Sequence, residues 1–152
     1  MKHEHIRQAT SSDANRIAEI EVFNYRLNFY PIFKNDKLYF SELQVNKEAE
    51  KLLSDVDILQ NTYVYDDGVV KGFILIDDNE VWKLFVEPVL QGRAIGGELI
   101  EYAKEAHQVE SLWVLEKNIR AVSFYKRHGF TATDEKIYEE GTTEHLIRMR
   151  RK

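Results

Sequence analysis

One short segment constrains this chain more than any other feature: the sequence QGRAIGG at residues 91–97. It follows an apolar run at residues 81–86, and a helical pattern with Ile95, Leu99 and Ala103 on one face begins within it. The first turn of a helix presents N–H groups without intrahelical partners, and the helix dipole adds partial positive charge there. Because glycine lacks a Cβ, an anion can approach such a backbone closely. A strand, a glycine-rich turn and a helix in this order predict a phosphate-binding site.

Two common phosphate-binding loops do not fit this segment. A dinucleotide fingerprint requires G-x-G-x-x-G, whereas Ala94 stands where the second glycine belongs. A P-loop ends in Gly-Lys-Ser or Gly-Lys-Thr, and neither ending follows Gly97. The segment instead resembles the acetyl-coenzyme A loop of the GNAT superfamily of N-acetyltransferases, Q/R-x-x-G-x-G/A. Gln91, Ala94 and Gly96 take its three defining positions, and alanine at 94 departs from the usual glycine by one methyl group.

A second segment carries the same resemblance. Residues 118–130, NIRAVSFYKRHGF, follow a strand-like run at 111–115 and match the GNAT pattern N-x-x-A-x-x-F-Y-x-x-x-G-F at every specified position. Asn118 is a natural helix N-cap, and Gly129 stands where a residue after a helix often takes a left-handed conformation. An ordinary capped helix would explain those two residues, but not the Phe-Tyr pair in a chain that also carries the 91–97 segment. The chain is therefore identified as similar to GNAT N-acetyltransferases.

The order of predicted elements extends the resemblance over the chain. The pattern indicates strands at 4–9, 62–65, 69–76, 81–86, 111–115, 130–138 and 144–150. Helices are indicated after Asp13, at 41–53, from Ile95 onward, and between Asn118 and Gly129. This order, β-α-α-β-β-β-α-β-α-β-β, is that of the GNAT fold. We expect one α/β (α+β) domain spanning residues 1–152, with a mixed central sheet of about six to seven strands flanked by about four helices.

The resemblance implies where acetyl-coenzyme A would bind. The strands at 81–86 and 111–115 would splay, and the backbone of the first would hold the pantetheine arm like an added strand. The amides of residues 91–96 would receive the pyrophosphate, and Asn118 would contact the arm near the second strand. The cofactor-binding residues implied in this way are Leu84, Phe85, Val86, Gln91, Gly92, Arg93, Ala94, Ile95, Gly96, Gly97, Asn118, Ala121 and Tyr125. No metal site is expected, because His3 and His5 fit a solvated terminal strand.

The reaction implied is direct transfer of acetyl to a primary amine of a small molecule or a peptide. Tyr125 takes the position of the family's general acid, which protonates the departing thiolate; a core tyrosine is the alternative reading. Since a neutral amine is the nucleophile, a base or a water chain must remove its proton. Glu80 shares the side-chain parity of Trp82 and Leu84 on its strand, which makes it a candidate base, and Glu21 is a second candidate.

The acceptor is expected to meet the region around the end of the first helix, which is dense in aromatic residues. Core packing explains some of them, and the others would form a wall around an amine through stacking or cation–π contacts. The candidate substrate-binding residues are Phe23, Tyr25, Phe29 and Tyr30.

Composition sets further bounds. A chain of 152 residues, 43% hydrophobic and 31% charged, suits a globular domain with a proper core. The net charge of −5 argues against nucleic acid as the main partner. No apolar run is long enough to cross a bilayer, so we expect no membrane partner. Residues 1–7 lack an apolar signal segment, so we expect a cytoplasmic location. We expect the protein to be a monomer or a homodimer. The absence of cysteine excludes disulfides and thiolate chemistry.

Two alternatives stay open at the level of sequence. One is a coenzyme A-binding sensor or interaction module on the same fold, without efficient catalysis. The other is an α/β protein that binds a different nucleotide, such as ATP or NAD. Release of thiol from acetyl-coenzyme A in the presence of an amine panel would distinguish the enzyme from both.

Overall fold

Seven strands form a single mixed sheet in the order β1-β2-β3-β4-β5-β7-β6, in a computed structural model that describes residues 3–152. β4 and β5 run parallel, and every other neighbouring pair is antiparallel. This arrangement confirms the predicted mixed sheet. The strands are β1 Ile6–Gln8, β2 Thr62–Asp66, β3 Val70–Asp77, β4 Glu80–Val86, β5 Ser111–Leu115, β6 Phe130–Tyr138 and β7 His145–Arg151.

The described residues form six α-helices rather than the predicted four or so, because two short ones lie between the longer elements. They are α1 Ala14–Asn24, α2 Tyr30–Phe33, α3 Val45–Ser54, α4 Val56–Gln60, α5 Ile95–His107 and α6 Ile119–Arg127. A π-helical turn, Tyr25–Phe29, joins α1 to α2, and a second one, Lys37–Glu42, occupies the start of the predicted 41–53 helix. Within the described part of the chain, every helix is too short or too polar to cross a membrane.

The core lies on both faces of the sheet. On one face Leu99 of α5 packs with Ile74 of β3 and Leu112 of β5, and α6 adds its own apolar side chains to the same cluster. On the other face Ile17 of α1 packs against Phe73 of β3. The sheet is thus held between α5 and α6 on one side and α1 on the other, which fixes the positions of the elements that surround the gap described next.

β4 contains a bulge at Trp82. Val81 and Lys83 pair with adjacent residues of β3, so Trp82 is an extra residue in the ladder. An extra residue reverses the alternation of side chains beyond it. The side chains of Val81 and Leu84 accordingly both join the core on the α5 side, although they are an odd number of positions apart. The expectation that Glu80 lies on the same face as Leu84 is therefore wrong.

β4 and β5 pair over a short length only and then diverge. Their parallel ladder consists of two residue pairs, Glu80 with Ser111 and Val81 with Leu112. Beyond Val81 the edge of β4 has no neighbouring strand, which agrees with the splay expected of these strands. Backbone N–H and C=O groups along such an edge are available to an extended ligand.

Gly72 allows α5 to sit close to this edge. A Cβ at Gly72 would lie 3.1 Å from the carbonyl oxygen of Phe85 and 3.2 Å from Cδ1 of Leu99. We expect Gly72→Ala to lower the free energy of unfolding by about 1–3 kcal/mol through overpacking, measured by urea denaturation. The matched control is Gly96→Ala, whose added Cβ would have its nearest contact at 3.5 Å and would gain helix propensity. An equal loss of stability in both variants would contradict this account of Gly72.

Candidate active site

A cleft of about 690 Å³ occupies the space where β4 and β5 part. Its walls come from β4, the 90–97 turn, the first residues of α5, the end of β5, α6 and the π-helical turn Tyr25–Phe29. Phe124 of α6 lies on one side of the sheet and Tyr25 on the other, and both line the cleft. The cleft therefore passes through the plane of the sheet and joins its two faces.

The 91–97 segment directs the N-terminus of α5 into this cleft. Gly92 has φ of +88°, and Ala94, the residue before α5, has φ of +67°. The left-handed region costs a residue with a side chain about 1–2 kcal/mol, which explains why glycine suits position 94. Ala94, Ile95, Gly96 and Gly97 all line the cleft. Arg93 is exposed and lies outside the lining residues.

A buried asparagine ties the segment to α1. The Nδ2 of Asn24 donates to the carbonyl oxygens of Ile20 and Val86, both at 2.8 Å, and its Oδ1 accepts from Nε2 of Gln91 at 2.9 Å. The side chain of Gln91 thus holds the loop against the protein, which leaves its backbone for a ligand. Sequence reasoning did not single out Asn24; an asparagine four residues after Ile20, on the apolar stripe of α1, is the signal that could have identified it.

Tyr125 lies in the wall of the cleft, on α6, and is 8% exposed. Its ring packs against Phe124 and Phe130, with centroids 5.2 and 6.0 Å away. Burial raises the pKa of the Tyr125 hydroxyl well above its usual value, so the hydroxyl stays protonated at neutral pH. A protonated hydroxyl is the form that a general acid requires.

Asn118 caps α6, as the sequence predicts. Its Oδ1 accepts from the backbone N–H of Ala121 at 3.2 Å, and both residues line the cleft beside the end of β5. The Nδ2 group of Asn118 remains available to donate to a ligand.

Two of the four predicted acceptor-side aromatics reach the cleft. Tyr25 and Phe29 line it, and their ring centroids lie 5.4 and 6.5 Å from that of Phe85 on β4. Phe23 is 40% exposed, and neither it nor Tyr30 belongs to the lining residues. Tyr30 instead donates its hydroxyl to Asp36 at 2.5 Å. Phe23 lies in the regular part of α1, whereas Tyr30 follows the π-helical turn, which changes the helical period before it.

The two predicted bases lie in different surroundings. Glu80 lies outside the lining of the cleft, at the end where β4 and β5 are still paired, and accepts from Oγ of Ser111 at 3.3 Å. Glu21 is buried under Lys83, whose Nζ lies 2.8 and 3.0 Å from its two carboxylate oxygens. Burial raises the pKa of the Glu21 carboxyl, and the ammonium group of Lys83 opposes that rise.

Several polar residues that sequence reasoning did not assign to the site also line the cleft. Arg120 and Arg127 of α6 carry positive charge there, whereas Glu139, from the turn between β6 and β7, carries negative charge. The further lining residues are Asn28, Lys83, Trp113 and His128. Arg120, Arg127 and His128 stand at unspecified positions of the 118–130 pattern, and the other residues come from separate elements that only the fold brings together.

Comparison with known proteins assigns the family. The family model described as acetyltransferase (GNAT) domain matches residues 36–151, so the chain belongs to the GNAT acetyltransferase family. This family uses acetyl-coenzyme A as its cosubstrate. The match confirms the family predicted from the sequence, and acetyl transfer from acetyl-coenzyme A is the activity that goes with this family.

Individual relatives agree with this assignment. The chain is 31% identical over 144 residues to an uncharacterized N-acetyltransferase, MJ1207, of Methanocaldococcus jannaschii, a match covering 82% of this chain and 59% of that protein. It is 34% identical over 88 residues to the peptidyl-lysine N-acetyltransferase YjaB of Salmonella typhimurium, covering 57% of this chain and 61% of that protein. The matches thus span about six-tenths of the length of these relatives.

A solved structure shares the fold. The PaiA N-acetyltransferase from Thermoplasma acidophilum, solved in complex with coenzyme A, has a TM-score of 0.76 at 21% identity. The alignment covers 97% of this chain and 98% of that one, so the whole architecture described above corresponds.

Asn24 provides a test of how the site is held. We expect Asn24→Ala to lower the free energy of unfolding by about 1–3 kcal/mol, because the buried carbonyl of Val86 loses its shortest side-chain donor and Gln91 loses its acceptor. We also expect weaker binding of coenzyme A by calorimetry, since the loop is no longer fixed. The control is Asn28→Ala, which removes one 3.2 Å bond to Asn24. Similar stability losses in the two variants would refute the anchoring role.

Proposed function

We propose that this protein transfers the acetyl group of acetyl-coenzyme A directly to a primary amine, and that the acceptor is an alkylamine such as a lysine side chain of a peptide or protein. Small-molecule amines of similar shape belong to the same proposal. The observation that carries it is the cleft through the sheet, with the open edge of β4 and the N-terminus of α5 on one side and an acidic aromatic pocket on the other.

The donor side suits the pantetheine and pyrophosphate of coenzyme A. The backbone of residues 84–86 offers an edge without a neighbouring strand, on which the carbonyl oxygen of Val86 already accepts from Asn24. The amides of residues 91–96 surround a helix N-terminus. A Cβ at Gly96 would lie 3.5 Å from the ring of Phe124 and 3.6 Å from Cγ2 of Val86, so it would narrow the cleft between α5 and α6. Glycine at this position keeps that passage open.

The acceptor side suits a positively charged alkylamine. Burial raises the pKa of the Tyr25 hydroxyl, and the carboxylates of Glu21, Glu48 and Glu139 raise it further. Of these carboxylates Glu139 lines the cleft, where it can attract an ammonium group, while the rings of Tyr25 and Phe29 can contact the methylene chain that carries it. The peptidyl-lysine N-acetyltransferases among the relatives support a lysine side chain as this amine.

Proton transfer completes the proposed reaction. The acceptor amine must lose a proton before it attacks, and neither predicted base is free to take it, because Glu80 lies outside the cleft and Glu21 is bonded to Lys83. We therefore assign that proton to water in the open cleft. Tyr125 then supplies a proton to the thiolate that leaves, which agrees with its protonated hydroxyl in the cleft wall.

Gly96→Val tests the donor site. A branched side chain would enter the passage between Phe124 and Val86, so we expect the affinity for coenzyme A to fall by about tenfold or more, measured by calorimetry on folded protein. The matched variant is Ala94→Gly, which removes left-handed strain and should bind at least as tightly. Unchanged affinity in Gly96→Val, or loss of binding in Ala94→Gly, would show that the cofactor lies elsewhere.

Tyr125→Phe tests the acid. The variant removes a proton donor and almost no volume, so we expect turnover with an alkylamine to fall by about 10²-fold, with coenzyme A affinity unchanged. Tyr102→Phe is the control, because the Tyr102 hydroxyl contacts His107 outside the cleft. Turnover within about twofold of the parent would make Tyr125 a packing residue. Tight binding of coenzyme A without acetylation of any amine would favour the sensor alternative.

A further inference from the structure

Among the residues that the structure describes, Lys83 is the one lysine that lines the cleft. It lies on β4 beside Leu84, whose backbone the proposed function assigns to the acetyl donor. The side chain of Lys83 is 36% exposed, so its amine is neither sealed in the core nor free in bulk water. The cleft therefore already contains the functional group that the enzyme is proposed to acetylate.

The carboxylate of Glu21 is in position to take a proton from this amine. Both of its oxygens lie within hydrogen-bond distance of Nζ of Lys83, at 2.8 and 3.0 Å. Glu21 is 4% exposed, and a buried carboxylate accepts a proton more readily than one in water. An external amine has no such direct access to Glu21, because Lys83 occupies both oxygens.

We propose that Lys83 is an internal acceptor, and that the enzyme acetylates this lysine of its own chain when no other amine occupies the cleft. The proposal rests on the proposed function for the acetyl donor. It adds a modification site on β4 that is separate from the choice of external acceptor.

The step balances as an acyl transfer. The Lys83 ammonium gives one proton to Glu21, and the nitrogen lone pair forms a C–N bond with the thioester carbonyl carbon. The C–S bond breaks, and coenzyme A leaves as a thiolate. The nitrogen loses a second proton as the amide forms, and the thiolate takes up one proton to become the free thiol. The products are acetylated Lys83, coenzyme A and a neutral Glu21 carboxyl.

This modification would limit the enzyme itself. Acetylation removes the positive charge of Lys83 and places an acetamide at the acceptor side of the cleft. The reaction is slow, because the ion pair between Lys83 and Glu21 must first be broken. The modified protein should then acetylate external amines more slowly than the unmodified protein.

The test is incubation of the purified protein with acetyl-coenzyme A and no acceptor, followed by peptide mass spectrometry. We expect one acetyl group on Lys83, added at a rate that does not depend on protein concentration. That rate should exceed the rate at Lys37 by roughly tenfold or more, because the donor is held beside Lys83. Lys37 is the reference for uncatalysed acetylation, since its side chain is 82% exposed.

Two variants and a competitor sharpen the result. Gly96→Val should abolish acetylation of Lys83 and leave that of Lys37 unchanged, and an excess of a good acceptor amine should protect Lys83. Lys83→Arg should remove the modification and keep a cation beside Glu21. Rapid acetylation of an external amine, together with an unmodified Lys83 in the incubation that contains no acceptor, would overturn this inference alone. No acetylation of either amine would overturn the proposed function as well.

Discussion

The early separation of β4 from β5 is the constraint on which the rest of the site depends. Two residue pairs hold the strands together, and the cleft begins where the second pair ends. Had the ladder continued, β4 would have no free edge and the two faces of the sheet would be sealed from each other. The backbone of residues 84–86, the N-terminus of α5, Tyr25, Phe29 and Tyr125 all border this gap.

The gap stays open because each of its sides is held from elsewhere in the fold. β5 pairs with β7 over its whole length, and β3 holds β4 along its other edge. Asn24 fixes the end of β4 through the carbonyl oxygen of Val86, and Glu80 joins β5 and β7 through Ser111 and Arg148 where the strands still meet. The site is thus preformed, which lowers the entropic cost of ordering it around two substrates.

Sequence patterns predicted helices and strands well where the spacing of apolar residues depends only on neighbouring residues in the chain. The strand at 111–115 and the strand at 130–138 have the predicted bounds, and the cap at Asn118 forms as expected. The patterns failed where one extra residue changes the period. The bulge at Trp82 placed Glu80 on the face opposite Leu84, and Tyr30, which follows the π-helical turn Tyr25–Phe29, lies outside the cleft. Both depend on hydrogen bonds to partners that are distant or irregularly spaced, which no period reveals.

The charged groups of the cleft are distributed as the proposed reaction requires, with positive charge on the donor side and negative charge on the acceptor side. Arg120, Arg127 and the N-terminus of α5 place positive potential on the donor side, where an anionic cofactor would lie. Glu21 and Glu139 place negative potential on the acceptor side, where an ammonium group would arrive. Lys83 lies among these carboxylates and neutralises part of their charge. An approaching amine therefore meets attraction from Glu139 and repulsion from Lys83, and that repulsion favours the neutral, nucleophilic form of the amine beside β4.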